Sequence, residues 1–146
     1  MYYLLTIISL LLANPFVGNV EVDPVEIVIE SNDQMQFNLK EIKVSEGDVV
    51  KLTLKHVGQL PEAAMGHNWV LLAEGTDMAA FAQEAIKARD TEYVPEGSES
   101  VIIATEMIGG GEETTIEFEV PAAGTYTFIC SFPGHYALMN GTFIVE

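Results

Sequence analysis

Val49–His56 reads VVKLTLKH, and its two faces separate cleanly: Val50, Leu52, Leu54 and His56 fall on one, Lys51, Thr53 and Lys55 on the other. Successive side chains of an extended chain point to opposite sides, so this period of two marks a half-buried strand with His56 on its apolar face. Working outward, VEIVIE at Val25–Glu30 and EIKV at Glu41–Val44 mostly alternate as well, the second running into a turn-like Ser45-Glu46-Gly47-Asp48. Further strands are expected at 69–72, 100–105, 114–120, 125–130 and 141–145, separated by Gly, Pro and polar turns. About eight short strands predict an all-β, two-sheet sandwich. One stretch departs from the pattern. In Asp77–Arg89, DMAAFAQEAIKAR, the residues Met78, Phe81, Ala82, Ala85 and Ile86 recur at helical spacing, and Thr76 or Asp77 can cap the start. A single helix laid on the sandwich is the expectation.

The chain has 146 residues, 49% of them hydrophobic, which suits one domain with a substantial core. Its 22 Asp and Glu against 6 Lys and Arg give a formal net charge of -16. Nucleic acid and anionic membrane surfaces are therefore poor partners, and a basic protein surface fits better. Residues 1–13, MYYLLTIISLLLA, hold an apolar run short for a bilayer span and suited to a secretory leader, although no Lys or Arg precedes it and no clear A-x-A site follows. The reading is a leader or apolar segment over 1–19, either cleaved or kept as an anchor, then one domain over 20–146. A periplasmic or otherwise exported protein follows. The segment has no cysteine to carry a lipid.

Cys130 is the one cysteine of the chain. In an oxidising compartment a free thiol invites pairing or oxidation, so it needs burial or a metal. Its neighbours favour the metal. Cys130-Ser-Phe-Pro-Gly-His135-Tyr-Ala-Leu-Met139 places a thiolate, an imidazole and a thioether on one short loop. These soft and borderline donors suit copper. The preceding strand puts Tyr126, Phe128 and Cys130 on one face, so the sulfur points inward, and Pro133-Gly134 turns the chain back towards it. His67, in Gly66-His67-Asn68-Trp69, is the natural third strong ligand. Met139 would then be a distant axial donor, with the Gly66 carbonyl on the opposite side, because glycine permits close backbone approach.

Three stretches resemble the azurins among the cupredoxins: NDQMQFN at Asn32–Asn38, MGHNWVL at Met65–Leu71, and the ligand loop. The resemblance runs over Ile27–Glu146. It implies a Greek-key sandwich with one helix, a periplasmic one-electron carrier, and a type 1 copper ion held by Gly66, His67, Cys130, His135 and Met139. It further implies that Asn68 and the backbone of Phe132 hydrogen-bond the cysteine sulfur and tune the potential. His56 matches a histidine near the metal that can titrate with redox state, although a satisfied core histidine explains it equally well.

Electrons are expected to pass through His135, inside an apolar rim that includes Leu60, Met65, Pro133, Ala137 and Leu138. Redox proteins such as c-type cytochromes, a reductase or an oxidase would dock there transiently. No nucleophile with a general base stands out, so an enzyme is not expected. The same donors would also serve a protein that stores or delivers copper. Two departures from the azurins stand out: the acidity, and the absence of a disulfide that azurins usually carry near the start of the sandwich.

Overall fold

The computed structural model describes residues 23–146. The expected leader at 1–19 and the expected start of the domain at residue 20 lie outside the described residues. Nine strands run in chain order: β1 (Val25–Asn32), β2 (Gln36–Phe37), β3 (Glu41–Val44), β4 (Val49–His56), β5 (Val70–Leu72), β6 (Val101–Ala104), β7 (Glu113–Glu119), β8 (Gly124–Ile129) and β9 (Asn140–Val145). They form a four-stranded sheet in the order β2-β1-β4-β7 and a five-stranded sheet in the order β3-β9-β8-β5-β6. The β1–β4 and β3–β9 pairs are parallel, with Val25 opposite Val50 and Glu41 opposite Thr142, and the remaining pairs are antiparallel.

The period of two in β4 is realised in full: Val50, Leu52, Leu54 and His56 are buried while Val49, Lys51, Thr53 and Lys55 are half-exposed. Its inward residues meet Ile29, Phe37, Trp69, Leu71, Phe128 and Phe143 in one apolar core between the sheets. All three residues of β5 are buried. Leu71 enters the sandwich core, whereas Val70 and Leu72 lie in a second cluster with Phe81, Ala85 and Ile129. That cluster explains the helix α2 (Met78–Ala85): its stripe seals the outer side of the five-stranded sheet. Asp77 caps it, its Oδ1 accepting from the Ala79 and Ala80 N–H groups at 2.9 and 3.0 Å.

Three features differ from expectation. Strand β2 was missed because two residues carry no periodicity. A second, one-turn helix, α1 (Glu62–Met65), joins the single helix that was expected. The longer helix ends at Ala85, not Arg89, since Lys87 and Ala88 donate to the Glu84 and Ala85 carbonyls in the tighter three-residue pattern and Ile86 is left 44% exposed. The turn that lacks a cysteine is tied by hydrogen bonds. Asp48 Oδ2 accepts from the Ser45 N–H at 2.8 Å, and the Glu46 and Val120 N–H groups reach the Glu146 and Asp48 carbonyls at 3.0 Å each. Among the described residues no helix is long and apolar enough to cross a membrane.

Candidate metal centre

Two distant segments meet at one end of the sandwich. On the first, His67 forms a two-way backbone bridge with Ile108, donating to its carbonyl at 3.0 Å and accepting from its N–H at 2.9 Å. On the second, Cys130 directly follows β8, and the loop closes on itself: its N–H reaches the Met139 carbonyl at 2.9 Å, and the Met139 N–H reaches the His135 carbonyl at 2.8 Å. Gly134, at φ 84°, allows the reversal between Cys130 and His135.

These frames bring the Cys130 sulfur 3.8 Å from His67 Nδ1 and 3.6 Å from His135 Nδ1. All three donor atoms lie within 4.8 Å of one another, and all three residues are buried. An ion held about 2.0–2.1 Å from nitrogen and about 2.3 Å from sulfur, at trigonal angles, requires nitrogen–sulfur edges of roughly 3.8 Å. Both nitrogen–sulfur edges match that requirement, and the three atoms are close enough to share a single metal ion.

Protonation agrees with that fit. His67 Nε2 lies 2.9 Å from the Asn32 carbonyl. A carbonyl only accepts, so Nε2 carries the hydrogen and the Nδ1 lone pair faces the sulfur. Burial lowers the pKa values of both His67 and His135 to about 4, with repulsion from the neighbouring imidazoles adding to the effect. Both rings are therefore neutral donors at pH 7. Burial pushes the Cys130 thiol the other way, up to about 12, although the backbone N–H groups of Asn68 and Phe132 oppose this by hydrogen-bonding the sulfur. A dry pocket that raises a thiol so far favours a bound cation, which would hold the thiolate.

The other expected residues fall around this triangle. The Gly66 carbonyl lies 3.9 Å from the Cys130 sulfur. Its glycine is required by crowding and not by an unusual φ: at φ -64° an added Cβ would stand 2.7 Å from the Glu62 carbonyl and 3.0 Å from Met107 Sδ. Met139 is fully buried in the same apolar cluster as Cys130. The Asn68 side chain grips the next residue along: its Nδ2 donates to Ser131 Oγ at 2.8 Å and its Oδ1 accepts from the Ser131 N–H at 2.9 Å, tying the two ligand segments together. His56 stacks on His67, with ring centroids 4.5 Å apart. Its Nε2 meets the Met65 carbonyl at 2.9 Å and its Nδ1 accepts from the Gly58 N–H at 3.0 Å, so both nitrogens are satisfied in the neutral ring.

Of the rim residues, Leu60 and Leu138 are 41% and 55% exposed. Ala137 is also exposed, while Met65 and Pro133 are half-buried. Phe132 lies tilted against His135 with ring centroids 4.6 Å apart and meets Tyr93 edge-on at 5.5 Å. Four contributors escaped the sequence reading: Asn32, Asp33, Glu92 and Ser131. Asp33 accepts from the Gln59 and Leu60 N–H groups at 2.8 and 3.2 Å, and these bonds hold its carboxyl below the usual range against the opposing pull of burial. The Glu92 carbonyl takes a 3.3 Å bond from Asn68, and its carboxylate takes one of 2.9 Å from the Met107 N–H. The Asn-Asp pair at 32–33 was a readable turn signal. Glu92, at φ 56°, offered none.

Residues 24–146 match the family described as copper binding proteins, plastocyanin/azurin family. The chain belongs to that family. It is 44% identical over 122 residues to the azurin of Alcaligenes faecalis, covering 80% of this chain and 94% of that one. To the azurin of Bordetella pertussis it is 47% identical over 119 residues, covering 78% and 79%. Outer membrane protein H.8 of Neisseria gonorrhoeae is 47% identical over 116 residues, which cover 77% of this chain but only 63% of that longer protein. Auracyanin A of Chloroflexus aurantiacus, a "blue" copper protein, superposes with a TM-score of 0.77 at 33% identity, over 85% of this chain and 100% of that one. As a plastocyanin/azurin family member the chain is a copper-binding cupredoxin with a Greek-key sandwich, and the His67, Cys130 and His135 cluster is consistent with a single copper site.

Proposed function

We propose that this protein is a single-electron carrier, with copper held by His67, Cys130 and His135 and bounded by the Met139 sulfur and the Gly66 carbonyl. Copper supplies the one-electron Cu(I)/Cu(II) couple. The observation that carries the reading is the buried triangle of two neutral imidazole nitrogens and one sulfur, closed by fixed backbone bonds. A donor set held by these backbone bonds would offer much the same geometry to both oxidation states, so little rearrangement would accompany transfer. Asn68 and Phe132 steady the thiolate, and Asn32 fixes the His67 tautomer.

His135 is the route in and out. It is 4% exposed, and Leu60, Met65, Pro133, Ala137 and Leu138, each exposed or half-buried, are the apolar residues proposed to form the docking rim. A redox protein such as a c-type cytochrome, a reductase or an oxidase would dock there briefly. The leader-like residues 1–13 and the azurin resemblance support an exported, periplasmic setting, with the mature domain beginning near residue 20.

Copper added to the purified protein should give an intense visible thiolate-to-Cu(II) absorption and a reversible one-electron wave. A colourless protein that readily gives up Cu(I) would instead point to storage or delivery, and the carrier reading would fall.

A further inference from the structure

Lys40 is one of six basic residues in a chain of net charge -16. Lys43, Lys51 and Lys55 pair with surface glutamates. Lys40 instead reaches across to the metal loop, where its Nζ donates to the Leu138 carbonyl at 2.7 Å and to the Asn140 carbonyl at 3.1 Å. These are the carbonyls on either side of Met139. Its own carbonyl accepts from the Thr142 N–H at 2.9 Å, and a Cβ on Gly141 would stand 2.6 Å from that oxygen. Lys40 thus holds this stretch of chain with both its side chain and its backbone.

The loop has a reason to need this. Leu138 and Met139 both donate to the His135 carbonyl, so residues 135–139 form a single helical turn. The last carbonyls of such a turn have no partner within it, and a cation or a side-chain donor is the usual remedy. Here the Asn140 amide covers the Tyr136 and Ala137 carbonyls at 2.8 and 3.3 Å, Lys40 covers that of Leu138, and the Cys130 N–H covers that of Met139. The turn carries His135 at its start and Met139 at its end, so the cap bears on both.

We propose that Lys40 is a positioning residue of the copper site, one that fixes the Met139 end of the ligand loop and so how closely that side chain is held to the metal. The inference rests on the reading of Met139 as a donor, and its test separates the two. Copper-loaded Lys40→Met, Lys40→Arg and Met139→Gln proteins are compared with the parent by visible and electron paramagnetic resonance spectra, by the rate of copper loss to a chelator, and by Tm. Lys40→Met should shift the spectra in the direction of Met139→Gln with smaller amplitude. It should also speed copper loss about three- to tenfold, the scale of one solvent-exposed hydrogen bond. Lys40→Arg should restore both.

A lower Tm with unchanged spectra and release rate would leave Lys40 an ordinary structural residue and overturn the inference, as would failure of arginine to restore them. An unchanged Met139→Gln spectrum would remove the donor reading and the Lys40 inference with it. A changed Met139→Gln spectrum beside an unchanged Lys40→Met spectrum would sink the Lys40 inference alone. Should Lys40→Met not fold, Lys40→Gln keeps one donor and is expected to fall between the methionine and arginine variants.

Discussion

The two histidines of the centre have the same donor atom and the same lowered basicity, yet they are held in opposite ways. His67 is fully buried, bridged to Ile108 through its backbone, stacked on His56 and bonded through Nε2 to Asn32. His135 sits on a loop, rests against Phe132 and retains slight exposure. The first belongs to the sandwich as much as to the metal, whereas the second belongs to the metal and to whatever approaches the rim. On the proposed carrier reading, one site would join a structural anchor to an electron port, and the two halves should respond differently when disturbed.

Protons should show where the halves agree. In the metal-free protein both imidazoles have pKa values of about 4, below the usual 6.5. The unfolded chain then binds more protons over that interval. Their contribution to stability is complete above about pH 6.5 and is lost as the pH falls towards 4, at a scale of about 3 kcal/mol for each imidazole. Chemical unfolding across pH 7.5 to 4 should show that loss, and His67→Ala or His135→Ala should each remove about half of it. A flat profile would mean that burial does not govern these rings.

At fixed pH 7.5 the halves should part. His67→Ala empties a buried site and leaves the Asn32 carbonyl without its donor, which should cost the metal-free fold about 3 kcal/mol. His135→Ala removes a buried ring that rests on Phe132 but bonds no carbonyl, and should cost less, about 1–2 kcal/mol. Equal losses in urea titrations would erase the distinction between anchor and port.

Much of this was legible in the residues. The alternation in VVKLTLKH placed His56 inward, and soft donors at C-x4-H-x3-M spacing identified the loop, because both signals are local and periodic. What supports the loop was not legible, because it is long-range. Nothing in the order of residues says that Asn32 faces His67 across 35 positions, or that Lys40 meets carbonyls about a hundred positions away. Residues 36–37 were lost as a strand for a different reason: they are too few to show a period. Glu92 was missed because its role depends on a left-handed backbone that is seldom expected of glutamate.

A smaller effect tests the third donor against the two histidines. At pH 7 the free thiol is protonated, with a pKa of about 12, while both imidazoles are already neutral. Loading the metal-free protein with Cu(II) should therefore release about one proton per ion near pH 7, and about three well below pH 4, provided binding persists there. Calorimetry in buffers of different ionisation enthalpy reads this count directly. A release of two or more at pH 7 would show that one imidazole is charged in the resting protein, and the symmetry of the pair would fail.

The smallest effect on the fold should come from the proposed docking rim. Met65→Lys and Leu138→Lys change side chains that are half-buried and 55% exposed, so unfolding free energies should move by only about 0.5 kcal/mol. Electron exchange with a redox protein should nevertheless slow several-fold, because a charge must lose its water when the apolar rim is covered. Gln83, exposed on α2, offers a matched control: Gln83→Lys adds the same single charge at a residue outside the proposed rim. If Met65→Lys and Leu138→Lys slow exchange no more than Gln83→Lys does, the rim is ordinary surface and the docking proposal falls.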